Sequence, residues 1–229
     1  MSACSPTSVA RPLGPVKQGA PPIDEDAFAD LPDTARRIVR GAVEAFAARG
    51  FHATTTRDIA GRAGLSPAGL YVHYPSKAAV LGQVSRLGHE RAFALVSRSL
   101  ADDDRPSVQR LAEVVREFVT WHARHHTTAR VVQNELDALA PSDRAVVVDL
   151  RRRTEAMVEA EVRRGVARDE LAVADPHAVT RAVLSLCIDV ARWYDPAGRE
   201  SPTEIADLYA TLVLRMLGAD PARTTTETP

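Results

Sequence analysis

Between Thr54 and Tyr74 the chain carries two helix starts with a glycine stop between them, so close together that neither helix can exceed about two turns. Helices this short are not stable alone, because nucleation costs more than a few backbone hydrogen bonds return. They must be held by tertiary packing. The run Thr54-Thr55-Thr56 supplies an N-cap for Arg57-Asp58-Ile59-Ala60-Gly61-Arg62-Ala63, with Ile59, Ala60 and Ala63 as its buried positions. Gly64 ends that helix. Ser66-Pro67 then places a capping hydroxyl before a proline at the first helical position, starting a second helix that runs to about Tyr74. Two short helices across a tight glycine turn predict a helix-turn-helix.

The flanking sequence is also helical, with no strand alternation from Asp33 onward. The first helix aligns Ile38, Ala42, Ala45 and Phe46 and stops at Gly50, after which Phe51 packs back. Ser76 caps a helix to about Leu100, and Asp102-Asp103-Asp104-Arg105-Pro106 breaks the chain. Helices are then predicted over about 107–125, 128–139, 141–168, 175–194 and 201–217. The last starts in the capping box Ser201-Pro202-Thr203-Glu204. The fold class is therefore all-α, with about nine helices.

Charge narrows the function. The net charge of −1 argues against a general nucleic-acid coat, yet residues 31–80 carry +4. Positive charge confined to one segment is the footprint of a local phosphate-binding surface. Residues 1–30 are rich in Pro, Ser, Ala and Gly, end in Asp24-Glu25-Asp26, and read as a disordered arm; residues 219–229 read as a disordered tail. Cys4 and Cys187 are too far apart to suggest a disulfide framework, no apolar run approaches the ~20 residues of a membrane span, and no leader pattern is present, so a cytoplasmic protein without membrane contact is expected.

Ile38, Ala42, Phe46, Gly50-Phe51, Thr55-Thr56, Ile59-Ala60, Ala63-Gly64-Leu65-Ser66, Leu70-Tyr71, His73-Tyr74, Ser76-Lys77 and Leu81 together resemble the N-terminal module of the TetR/AcrR family of transcription regulators. The resemblance implies a three-helix DNA-binding domain over residues 31–80 and a larger helical ligand-binding and dimerisation domain over 81–218. It makes Ser66 to Tyr74 the reading helix, which enters the major groove of a palindromic double-stranded operator. Tyr71 and His73 would reach phosphates or base edges, and Thr55, Thr56 and Arg57 would fix the docking register. Ser66, Pro67, Ala68 and Gly69 would form the leading turn, and Lys77 would meet a phosphate as a point charge. Ala68-Gly69 departs from the family, which commonly has Gly followed by Thr or Ser there. Each residue also has a plainer reading: Thr56 as a cap, Tyr71 as a packing ring, Arg57 as a solvated cation. Tyr74 is assigned mainly to the core.

The remainder holds no nucleotide-binding glycine loop, no Gly-x-Ser-x-Gly and no Cys/His/Asp nucleophile set, so neither an enzyme nor a cofactor is expected. His122, His125 and His126 lack a third ligand type and read as surface histidines rather than a metal site. By resemblance, the middle helices enclose a cavity for a small-molecule effector. Phe118, Trp121 and His125 form a candidate lining stripe, with ordinary core as the alternative. Asn134 either meets a ligand or faces water, and Arg152, within Arg151-Arg152-Arg153, either holds a ligand anion or belongs to a solvated face paired with Glu155 and Glu159. Cys187 is a further candidate lining residue. The segment Trp193-Tyr194-Asp195-Pro196-Ala197-Gly198 is similar to an ending found in family members that sense acyl-CoA thioesters, which makes a CoA thioester the first ligand class to consider. Val179, Val183, Leu186, Cys187, Val190 and Trp193, with Ile205, Leu208, Leu212 and Met216, give the last two helices apolar stripes too wide for one contact, which favours a homodimer. The expected function is a homodimeric repressor released from DNA by ligand. The alternatives are a nucleoid-type binder without effector and an enzyme with a DNA-binding arm.

Overall fold

The computed structural model describes residues 28–102 and 104–219. Among the described residues there are nine α-helices and no strand: α1 (Asp33–Ala53), α2 (Thr56–Arg62), α3 (Pro67–His73), α4 (Lys77–Ser99), α5 (Ser107–Arg124), α6 (His126–Asn134), the 3-10 turn Leu136–Ala138, α7 (Pro141–Ala167), α8 (Pro176–Trp193) and α9 (Pro202–Met216). The helix starts follow the sequence punctuation. The side chains of Thr55, Ser66, Ser76, Asp175 and Ser201 each accept a first-turn backbone N–H. The exception is α6, expected over 128–139: it begins two residues earlier and yields to the 3-10 turn, and neither a capping side chain nor an adjacent proline marks its start.

Two glycines shape the N-terminal module. Gly50 has φ 74° and ψ 165°, outside helical space, so α1 proper ends there and one further turn carries Phe51 back onto the core. Gly64, at φ 67°, closes α2: Leu65 N–H donates to Ala60 O at 2.9 Å and Gly64 N–H to Gly61 O at 3.2 Å, the paired bonds of a Schellman end. Arg37 of α1 reinforces the turn by donating to Ala63 O from Nε at 2.9 Å.

The core has two main clusters. In the first, Ile38, Phe46, Ile59, Leu70 and Leu81 of α1 to α4 are joined by Val131 and Val132 of α6, Leu139 from the turn before α7, and Val147 of α7. Phe28 belongs to this cluster at 3% exposure, although the sequence places it in the N-terminal arm. Burying its ring contributes about 2 kcal/mol. The rest of the expected arm, 1–27, and the tail from 220 lie outside the described residues. In the second cluster α5 lies at the centre, with Val115, Phe118 and Val119 packed against Val158 and Val162 of α7, Val190 of α8, and Ile205 and Val213 of α9. One ionic network is buried beside it. Arg110 of α5 meets Glu161 of α7 at 3.1 Å with both side chains at most 5% exposed, and Arg164 reaches the same carboxylate at 3.2 Å.

Candidate functional site

The helix-turn-helix presents its outer face on α3. Leu70 is fully buried and anchors the helix, which rotates Tyr71, Val72 and His73 outward. Tyr71 is 51% exposed and Val72 81%. Nothing in the sequence pattern singled out Val72, yet it is the most exposed large apolar side chain described and a fitting contact for a thymine methyl group. Its signal was its place: the position between two outward residues on a helix of one buried leucine also faces out.

Tyr71 Oη lies 3.2 Å from Thr56 Oγ1, so the first turn of α2 and the outer face of α3 share a hydrogen bond. Thr55 is engaged locally: its Oγ1 accepts from Asp58 N–H at 3.1 Å, and Asp58 accepts from Thr55 N–H at 2.9 Å and Thr55 Oγ1 at 2.7 Å. These bonds hold the Asp58 carboxyl below its usual range, with Arg49 and Arg62 adding to the effect. Ser66 Oγ accepts from Gly69 N–H at 3.1 Å, while Pro67 and Ala68 form the first turn and Ala68 is exposed. Arg57 is exposed at the start of α2.

Lys77, expected to face a phosphate, is turned inward. Its Nζ donates to the carbonyls of Phe51, His52 and Thr54 at 2.8, 3.2 and 2.8 Å and lies 4.5 Å from the Phe51 ring centroid. Three ammonium donors thus meet three carbonyls where α1 ends, that of Phe51 also accepting from Thr54 N–H at 3.3 Å, and the cation is matched to a helix C-terminus rather than opposed by the N-terminus of its own helix. The same corner is held from the other side, where Glu135 Oε1 accepts from Phe51 N–H at 2.9 Å across 84 positions of sequence.

A cavity of about 440 Å³ opens between α4, α5, α6, α7 and α8. Phe118, Trp121, Leu184 and Ile188 give it an apolar body, and His89, His122, Gln133 and Arg151 supply polar groups. Phe118 and Trp121 therefore line it as expected. Four other expected lining residues do not. His125 ends α5 and stacks on Trp121 with ring centroids 5.0 Å apart, and His122 takes the lining position. Asn134 is exposed and Gln133 lines; Arg152 is exposed and Arg151 lines. Cys187 is 1% exposed in the second core cluster, and burial pushes its thiol up to about 12. Two of these corrections are shifts of one residue, which on a helix is a turn of about 100°. Arg153 stacks on Phe93 and pairs with Asp149 at 3.7 Å, while Glu155 leans toward Arg181 at 3.9 Å and Glu159 accepts from Arg163 and His177 rather than from Arg152.

The histidines of α5 and α6, expected at the surface, are inside: His122 is 4% exposed and His126 7%. His122 Nδ1 donates to Phe118 O at 2.7 Å, and burial lowers its pKa to about 4. His89 Nδ1 donates to Ser85 O at 2.8 Å and its Nε2 accepts from Arg151 Nε at 2.8 Å; burial, with a contribution from Arg151, lowers its pKa to about 4 as well. A carbonyl only accepts, so both rings carry their proton on Nδ1 and are neutral at pH 7. Among the described residues no group of three or more His, Cys, Asp or Glu is arranged to hold a metal ion, and no helix is long and apolar enough to cross a membrane.

On α8 and α9 the wide apolar stripes divide. Val183, Cys187, Val190 and Ile205 are buried, whereas Leu186, Trp193, Leu208, Leu212 and Met216 are 41–50% exposed.

Residues 38–84 match the family described as bacterial regulatory proteins, tetR family, and residues 104–217 match the tetracyclin repressor-like C-terminal domain. A solved bacterial regulatory protein of the tetR family from Rhodococcus RHA1 is 36% identical, with a TM-score of 0.78 over 83% of this chain and 100% of that one. The transcriptional repressor KstR2 of Mycobacterium tuberculosis is 28% identical over 74% of this chain and 85% of its own length. AibR, solved with isovaleryl coenzyme A and operator DNA, shares the fold at 21% identity, with a TM-score of 0.72 over 82% of this chain and 100% of that one. The chain belongs to the TetR family of bacterial transcriptional regulators.

Proposed function

We propose that the protein is a homodimeric repressor that leaves its operator when a lipophilic acyl ligand, with a CoA thioester as the first class to test, enters the cavity between α4 and α8. The observation that carries this reading is the double engagement of α6. Ala129, Val132 and Gln133 line the cavity, and Glu135, just past the helix end, holds Phe51 N–H at the corner from which α2 and α3 project. A ligand that favours a different α6 position therefore acts directly on the base of the reading head. It shifts the population only by its difference in affinity for the two positions.

In the DNA-bound form Tyr71, Val72 and His73 face the major groove, and Arg57 and Thr56 face the backbone. Lys77 keeps the α1 corner closed instead of making a phosphate contact of its own. The exposed apolar face of α8 and α9 meets its copy in a four-helix interface, which sets two α3 helices about 34–36 Å apart on successive half-sites. KstR2 is named a repressor and AibR was solved with an acyl-CoA and operator DNA, which supports both the sign of regulation and the ligand class.

The test is fluorescence anisotropy on labelled DNA from the gene's own upstream region, titrated first with protein and then with CoA thioesters and unesterified lipophiles. Tight binding that one ligand reverses is the expected result. Binding no tighter than to scrambled DNA overturns the reading.

A further inference from the structure

We infer that the effector carries a negatively charged group that pairs with Arg151, whose guanidinium is held at the cavity wall by His89 and has no carboxylate partner among the described residues. The inference rests on the reading of this cavity as the effector site. His89 fixes the geometry: its Nδ1 is tied to Ser85 O at 2.8 Å, so its Nε2 lone pair can only accept, and Arg151 Nε donates to it at 2.8 Å. Using Nε for the imidazole leaves the two terminal nitrogens of the fork for a second partner, in the paired geometry that suits a carboxylate or phosphate.

No such partner comes from the lining. Glu155, the one carboxylate among the described lining residues, is directed to Arg181 at 3.9 Å. His89 and His122 are neutral at pH 7. Much of the Arg151 side chain is open to solvent, yet its guanidinium sits among enough protein atoms that desolvation lowers its pKa, and no attractive charge among the described residues offsets the cost. The same cavity is otherwise walled by Phe118, Trp121, Leu184 and Ile188, so the body of the ligand is apolar. The arrangement suits an amphipathic anion better than a neutral lipophile. A free carboxylate and the phosphates of a CoA thioester share this chemistry.

Isothermal titration calorimetry on the full chain at neutral pH separates them, with four probes of one chain length: decanoate, decanol, decanoyl-CoA and decanoylpantetheine. If Arg151 holds a carboxylate, decanoate binds at least tenfold tighter than decanol; if it holds a CoA phosphate, decanoyl-CoA binds at least tenfold tighter than decanoylpantetheine. Arg151→Gln abolishes whichever preference is found, and Arg151→Lys keeps part of it. Equal binding of charged and neutral probes, a preference that survives Arg151→Gln, or no binding by any of the four overturns the inference, and the wild-type comparison decides even if the glutamine variant does not fold. Labelled upstream DNA titrated alongside distinguishes the two failures. Release by a neutral probe leaves the repressor reading intact and removes the anion, whereas the absence of sequence-selective DNA binding removes the repressor reading itself.

Discussion

Replacing His122 with glutamine should make the protein less sensitive to mild acid. His122 is buried at the cavity wall, with its pKa lowered from 6.5 to about 4 by burial and only partly restored by its bond to Phe118 O. A base whose folded pKa is depressed leaves the unfolded chain binding more protons between the two values, so stability is complete above about pH 6.5 and falls as the pH drops toward about 4. At about pH 5 the unfolded histidine is almost wholly protonated and the folded one almost wholly neutral, a difference of about 2 kcal/mol. His89, shifted by a similar amount, contributes a comparable loss, and His126, shifted in the same direction by burial, adds to it. Glutamine retains an N–H for Phe118 O but does not titrate. Urea unfolding followed by far-UV circular dichroism, at fixed protomer concentration and at about pH 7 and about pH 5, gives the loss for each protein. The wild type should lose about 2 kcal/mol more than His122→Gln between the two conditions. Equal losses would refute the assignment of His122 as a buried neutral ring, whatever the variant's stability at neutral pH.

Tyr71→Ala should abolish selective operator binding without altering the helical content, read by anisotropy and circular dichroism; unchanged operator affinity would remove α3 from the interface. Leu212→Asp, which puts a charge in the exposed face of α9, should give a monomer by sedimentation equilibrium, and a persistent dimer would place the interface elsewhere. Glu161→Ala removes the carboxylate that the buried Arg110 shares with Arg164, and losing one member of a buried ion pair should cost about 3–5 kcal/mol, lowering Tm by on the order of 10 °C in differential scanning calorimetry. A change of a degree or less would contradict the burial. Glu135→Ala frees Phe51 N–H and should weaken the response of DNA release to ligand more than it weakens ligand binding; equal loss of both would refute α6 as the link.

The helix-turn-helix and most helix starts were legible because caps, prolines and glycines act locally. Thr55, Ser66, Ser76, Asp175 and Ser201 are each bonded within three residues of themselves, so their roles lie within a short window of sequence. The cavity was legible only in outline. Whether residue 151 or 152, or residue 133 or 134, turns inward depends on how α6 and α7 are rotated about their axes, and that is decided by neighbours far away in sequence. His122 offered one usable signal, its place one turn after Phe118 on the apolar face of α5. Lys77 and Glu135 offered none. Their partners are backbone groups of the α1 corner, where Gly50 interrupts the helix, and they lie 23 to 84 positions away in sequence.

The N-terminal core is not closed by the N-terminal helices alone. Val131 and Val132 of α6, with Leu139 and Val147, complete the cluster that holds Ile38, Ile59 and Leu70. For anyone building chimaeric regulators, the natural cut is therefore not the end of α3 or the start of α4. A reading head transplanted at that boundary would arrive with an unfilled floor and with Phe51 N–H lacking its acceptor, so a working graft must carry the facing surface of α6 and the first turns of α7 along with it, or redesign both sides together.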